Sequence, residues 1–131
     1  MIVPVAADAT LALPGGVFSA PWLLDAALAT AAVETPLFWL FGYRRRAEWL
    51  WFAVVNIISN LLLNEFLDAT AGTLPYFAAV PLGEIFVLLL EYALCGYAVK
   101  EKSGARLFRV LLFTNAASFL AGVAYFMYIY G

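Results

Sequence analysis

Residues 76–99, YFAAVPLGEIFVLLLEYALCGYAV, decide how the whole chain is read. The stretch holds two carboxylic acids, Glu84 and Glu91, and no lysine, arginine or histidine. About 20 helical residues cross a hydrocarbon layer about 30 Å thick, so a helix here is long enough to span a membrane. An ionisable group at that depth costs roughly 2.5 to 3.5 kcal/mol on insertion scales. Each acid must therefore be protonated, hydrogen-bonded or bound to a cation.

Working outward, three more segments reach spanning length: 22–43, 48–67 and 107–128. The first of them holds a third acid, Glu34, again with no base at its level. Across 131 residues, 66% are hydrophobic and 12% charged, with a mean hydropathy of +0.93, which lies outside the range of soluble domains. The expected fold is an all-α integral membrane protein of four transmembrane helices, forming one domain over 22–131. Residues 1–21 lack a basic n-region and are interrupted by Pro4, Asp8, Pro14, Gly15 and Gly16, so they read as an irregular extracytoplasmic segment rather than a signal peptide.

All seven bases fall in two loops: Arg44, Arg45 and Arg46 in one, Lys100, Lys102, Arg106 and Arg109 in the other. Asp8, Asp25 and Asp68 lie on the opposite side. The positive-inside bias then predicts cytoplasmic basic loops and an N-out/C-out topology in a prokaryotic-type inner or plasma membrane. A four-helix chain of this length with a glutamate in its first helix resembles the small multidrug resistance transporters in outline. The one-sided charge argues against the dual insertion some of those proteins use. The likeness stops at length and one acid, and no function is taken from it.

Composition removes much chemistry. Without histidine there is no histidine-based zinc, haem or nucleophile-activating site. The lone Cys95 cannot form an internal disulfide. No glycine-rich phosphate loop is present, and the few bases flank membrane segments rather than forming a nucleic-acid surface.

The chain also reads as a helical hairpin written twice, in parallel. Glu34 is followed by Asn56 and Ser59, and Glu91 by Asn115 and Ser118, at glutamate-to-asparagine spacings of 22 and 24. Counted from the basic loops, both glutamates and both asparagines lie roughly 14 to 15 Å deep, near the midplane. Repeats two spans apart run in the same direction, which predicts a pseudo-two-fold axis along the membrane normal. Against this stands chance: two short Asn-x-x-Ser matches, with the rest of the hairpins aligning poorly.

These residues are the candidate site: Glu34, Glu91, Asn56 and Asn115 for a cation or proton, with Glu34 and Glu91 as the metal-ligating pair. Glu84, Ser59, Ser118 and Asn60 form a secondary path. Glu84 and Glu91 recur after seven residues and so share a helix face, about 20° apart. Asn56, Asn60 and Asn64 form a stripe at intervals of four. Such stripes also serve plain helix packing. Pro36 and Pro81 free the carbonyls of Ala32 and Phe77, as possible oxygen ligands or as simple kinks, with Thr30 or Thr35 satisfying the local backbone.

An all-oxygen ligand set suits protons or hard cations such as Ca²⁺, Mg²⁺ or Mn²⁺, with no other cofactor. The leading expectation is a small transporter or channel subunit, homo-oligomeric because four helices make a thin pore wall. The alternative is a non-catalytic membrane subunit in which protonated glutamates pair with Asn56 and Asn115 and the lipid-facing surface docks a partner subunit. An intramembrane enzyme acting on lipid would need Glu48 and Glu101 at the headgroup level, where loop charges are ordinarily just solvated. Partners are otherwise membrane lipid, with no nucleic acid. Aromatic residues at the segment ends, Tyr43 among them, are expected at the interface.

Overall fold

A computed structural model describes residues 21–99 and 103–130, and these are all-helical apart from short turns. Helix α1 runs Pro21–Leu40, α2 Arg46–Thr70, α3 Tyr76–Ala98 and α4 Gly104–Tyr130. No strand is present among the described residues. Residues 1–20 and 100–102, which include the amino-terminal segment and Glu101, lie outside the described residues.

Three helices, Arg46–Thr70, Tyr76–Ala98 and the Gly104–Tyr125 part of α4, are long and apolar enough to cross a membrane. Helices α2 and α4 extend the expected segments 48–67 and 107–128 by a few residues at each end, and α3 matches 76–99 to within one residue. Helix α1 is shorter than expected at its far end. It stops at Leu40 because Gly42 takes φ +105°, a left-handed conformation open to glycine, and turns the chain back.

The helices pack in a square, with α1 against α2 and α4, and α3 against α2 and α4. The bundle differs from a soluble one in its apolar exterior and in the polar residues among its buried positions. The inner face of α2 carries Asn56, Ser59, Asn60 and Asn64, while Leu50, Val54, Ile58, Leu62 and Phe66 face outward. On α3, Ile85, Phe86 and Leu89 are each more than half exposed. An apolar exterior around polar contacts is what a hydrocarbon solvent selects, since lipid tails satisfy no hydrogen bond and water would penalise that surface.

Two apolar clusters flank the polar interior. At the end with the basic loops, Phe38, Tyr43, Phe52, Val55, Cys95, Val99, Leu107, Val110 and Leu111 form one core. Phe38 stacks on Tyr43 and on Phe52 with ring centroids 4.2 and 4.1 Å apart. Tyr43, expected at the interface, is buried instead, since the turn at Gly42 folds it onto Phe38. At the other end Leu63, Leu67, Ala79 and Val87 form a smaller core, and Gly83 lets α3 approach Leu63 of α2.

Candidate functional site

Between the two cores lies a layer of six polar side chains, one or two from each helix. Glu34 comes from α1, Asn56 and Ser59 from α2, Glu91 from α3, and Asn115 and Ser118 from α4. Both glutamates, Asn56 and Ser59 have no exposed surface, and Asn115 and Ser118 are buried. Each residue is brought inward by helical spacing: buried positions recur as Thr30, Glu34 and Phe38 on α1, and as Val87, Glu91 and Cys95 on α3. On α2 and α4 the same logic gives Phe52, Val55, Asn56, Ser59 and Leu111, Thr114, Asn115, Ser118.

The hydrogen bonds follow a crossed pattern. Glu34 Oε2 accepts from Asn56 Nδ2 within its own hairpin, and Glu34 Oε1 accepts from Ser118 Oγ of the other hairpin. Glu91 Oε2 accepts from Asn115 Nδ2 at 2.6 Å within its hairpin, and Glu91 Oε1 accepts from Ser59 Oγ at 2.7 Å across to the first. Exchanging Glu34, Asn56 and Ser59 for Glu91, Asn115 and Ser118 reproduces the set. Asn56 Nδ2 also lies 3.4 Å from Glu91 Oε1, so one amide reaches both carboxyls. All four carboxyl oxygens thus accept a hydrogen bond, and every donor is neutral.

The remaining candidates divide. Asn60 joins the layer from one turn away, donating Nδ2 to the Asn56 carbonyl at 2.9 Å. Glu84 shares the inward side of α3, but its carboxyl makes no hydrogen bond with any described residue. Both prolines are exposed, and the carbonyls they free lie on their own outer side of the helix, away from the carboxyl layer. Thr30 donates to the Ala26 carbonyl at 3.0 Å, and the buried Thr35 hydroxyl has no partner among the described residues. Glu48 stands in the first turn of α2 at the basic end, remote from the layer.

Of the polar residues buried along the same inner faces, the sequence singles out Asn64 only as part of the α2 stripe and Thr30 only as a backbone partner, and it does not single out Thr114. Position relative to the glutamates and asparagines was the available signal: Thr30 precedes Glu34 by one turn, and Thr114 adjoins Asn115. No group of three or more His, Cys, Asp or Glu side chains that could hold a metal occurs among the described residues. No protein family, curated protein or solved structure matches this chain.

Proposed function

We propose that this protein is a small membrane transporter or channel subunit whose cargo is the proton, carried by Glu34 and Glu91. The reading rests on one observation: two fully buried carboxyls whose four oxygens are all served by N–H or O–H donors, with no cationic group among those donors. A hard cation would need six or more oxygen ligands. Here the amide nitrogens, rather than their oxygens, meet the carboxyls, and no third acid joins the pair among the described residues. A proton needs only an oxygen lone pair and a neighbour to share it.

On this reading α1 crosses the membrane with the other three helices, both termini lie outside, and the basic loops are cytoplasmic. The matched triads would be an internal repeat of two parallel hairpins about an axis through the carboxyl layer. Asn60, Asn64 and Glu84 lead from that layer toward the outer end beside the smaller core of Leu63, Leu67, Ala79 and Val87, whereas the Phe38–Tyr43–Phe52 stack fills the opposite half. With only four helices around it, the functional unit would be a homo-oligomer in lipid.

The experiment is proton flux into proteoliposomes of the purified protein. Glu34→Gln/Glu91→Gln should abolish it, and unchanged flux would sink the proposal.

A second reading is supported by the two serine contacts, each of which joins one hairpin to the other hairpin's glutamate. In it the acids are permanently neutral braces of a non-catalytic subunit that docks a partner. Wild-type protein would then give no flux, and the double glutamine variant would be at least as stable as wild type.

A further inference from the structure

The two serine hydroxyls each stand between two acceptors while holding one hydrogen. Ser59 Oγ lies 2.7 Å from Glu91 Oε1 and 3.1 Å from the backbone carbonyl oxygen of Asn56, one turn back on its own helix. Ser118 Oγ contacts Glu34 Oε1 and lies 3.0 Å from the carbonyl oxygen of Asn115, again three residues earlier. A single hydrogen makes a near-linear bond to only one of these acceptors at a time. Either it points to the carboxyl oxygen, which is then unprotonated there, or it points to the backbone carbonyl, and the short contact to the carboxyl must hold a proton belonging to the glutamate.

We infer that Ser59 and Ser118 are hydrogen-bond exchangers, which let Glu91 and Glu34 gain and lose a proton while every hydrogen bond at that oxygen is kept. When Glu91 takes a proton from water on Oε1, the new O–H donates to Ser59 Oγ, and the serine hydrogen rotates to the Asn56 carbonyl. When that proton returns to water, the serine hydrogen rotates back to Oε1. Rotation about one C–O bond accomplishes the change, and no heavy atom need move. Ser118 does the same for Glu34 against the Asn115 carbonyl.

The carbonyls tolerate both states. Asn56 O also accepts from Asn60 Nδ2 at 2.9 Å, so it keeps a partner when the serine turns away. Asn115 O sits inside α4, where the helix ladder supplies its bond. The amides Asn56 and Asn115 cannot play this part, because an amide NH2 only donates. The division of labour is thus one fixed donor and one reversible partner for each carboxyl. Each reversible partner comes from the opposite hairpin.

The charge environment allows this role. The groups facing the pair from α2 are Asn56, Ser59 and Asn60, and from α4 Thr114, Asn115 and Ser118, none of which ionises. On α1 and α3 the titratable groups on the inward side are the two glutamates themselves, Glu84 seven positions from Glu91 and Cys95 one turn from it, while Asp25, Tyr76, Tyr92 and Tyr97 on these helices are exposed.

The inference rests on the proton reading above, and infrared spectroscopy separates the two. The full chain in lipid vesicles is titrated with pH while the C=O stretch of protonated carboxyls is followed, Glu34→Gln and Glu91→Gln identifying each band. The expected result is two titrating bands in wild type. Ser59→Ala should move the Glu91 band to higher frequency, because its O–H has lost an acceptor, and should slow proton flux roughly three- to tenfold, the loss of one hydrogen bond at the transfer step. Ser118→Ala should do the same for Glu34 alone. Ser59→Thr, which keeps a hydroxyl, should recover the band position.

Either serine decides the matter if the other variant fails to fold. Titrating wild-type bands that neither alanine variant moves would overturn the exchangers and leave the proton reading standing. Bands that never titrate in wild type would overturn both.

Discussion

Glu34 and Glu91 sit on helices that do not pack against each other, yet one amide joins them: Asn56 Nδ2 donates to Glu34 Oε2 and lies 3.4 Å from Glu91 Oε1. Asn115, its counterpart, divides its donors between Glu91 Oε2 and the Leu111 carbonyl, at 2.6 and 2.9 Å. The two hairpins are therefore equivalent in their fixed donors to each carboxyl but not in what bridges the pair.

That difference predicts unequal costs. Asn56→Ala should destabilise the bundle by about 1–3 kcal/mol, the penalty for stranding a buried partner, and should cost more than Asn115→Ala. Combining Asn56→Ala with Glu34→Ala should be less than additive by roughly 0.5–3 kcal/mol, since both remove one network. Unfolding of the variants in mixed micelles measures these values. Strict additivity would mean that the amide and the carboxyl do not act together.

Packing at Gly83 sets the spacing of α2 and α3 on which the Ser59–Glu91 contact depends. A Cβ there would collide with Leu63 Cδ1, and Leu63 is only 1% exposed, with little room to swing aside. Gly83→Ala should cost about 1–3 kcal/mol as an overpacking change. Leu63→Val in the same chain should return most of that loss. Thermal unfolding of the single and double variants checks both signs. If Gly83→Ala proves as stable as wild type, the helices have more freedom than this contact allows.

Much of the site could be read from the chain because acids and amides are conspicuous in apolar segments. Counting from Arg44, Arg46, Lys100 and Arg106 puts Glu34, Asn56, Glu91 and Asn115 at one level, and hydrogen bonds link these four side chains in the bundle. Spacing could not say which partner each serine meets. Ser59 follows Asn56 in sequence yet bonds the other hairpin's glutamate, because successive inner positions on a helix lean toward different neighbours. Tyr43 was misplaced for a related reason, as a single positive φ at Gly42 reverses the chain and carries a residue from the expected interface into the core. Glu84, on the same face as Glu91, makes no hydrogen bond with a described residue, and helical spacing alone cannot distinguish the two acids.

Arg106 ties the turn after α1 to α4. Arg106 Nη2 donates to the Phe41 carbonyl at 2.8 Å, and its guanidinium lies 5.7 Å from the centre of the Tyr43 ring. Arg106→Ala should loosen residues 41–44 without unfolding the bundle. A lost hydrogen bond to a charged donor is worth about 1.5–3 kcal/mol, so amide exchange at Arg44, which donates to Gly42 O at 3.0 Å, should accelerate at least tenfold. Arg106→Lys should recover only part of the protection, having one point donor in place of a planar fork. Exchange at Arg44 that stays at the wild-type rate in Arg106→Ala would show that the turn is held by the backbone alone.

Polarity along the bundle axis predicts which end water reaches. Toward the basic loops the layer is covered by the buried Phe38, Phe52, Leu107 and Leu111, and the Cys95 thiol there has no exposed surface. Toward the other end the inner face of α2 continues as the buried Asn60 and Asn64, beside the smaller core of Leu63, Leu67, Ala79 and Val87, none of which carries an aromatic ring. In membrane vesicles, native Cys95 should resist a membrane-impermeant maleimide applied from either side and react only after denaturation. Asn64→Cys in a Cys95→Ser background should react from the side of the Asp68 loop, at least tenfold faster than Cys95, because an amide-lined face admits water where an aromatic stack excludes it. Equal labelling of the two positions, or labelling of Cys95 from the side of the basic loops, would mean that the aromatic stack does not close that half and that a proton could enter the layer from both ends.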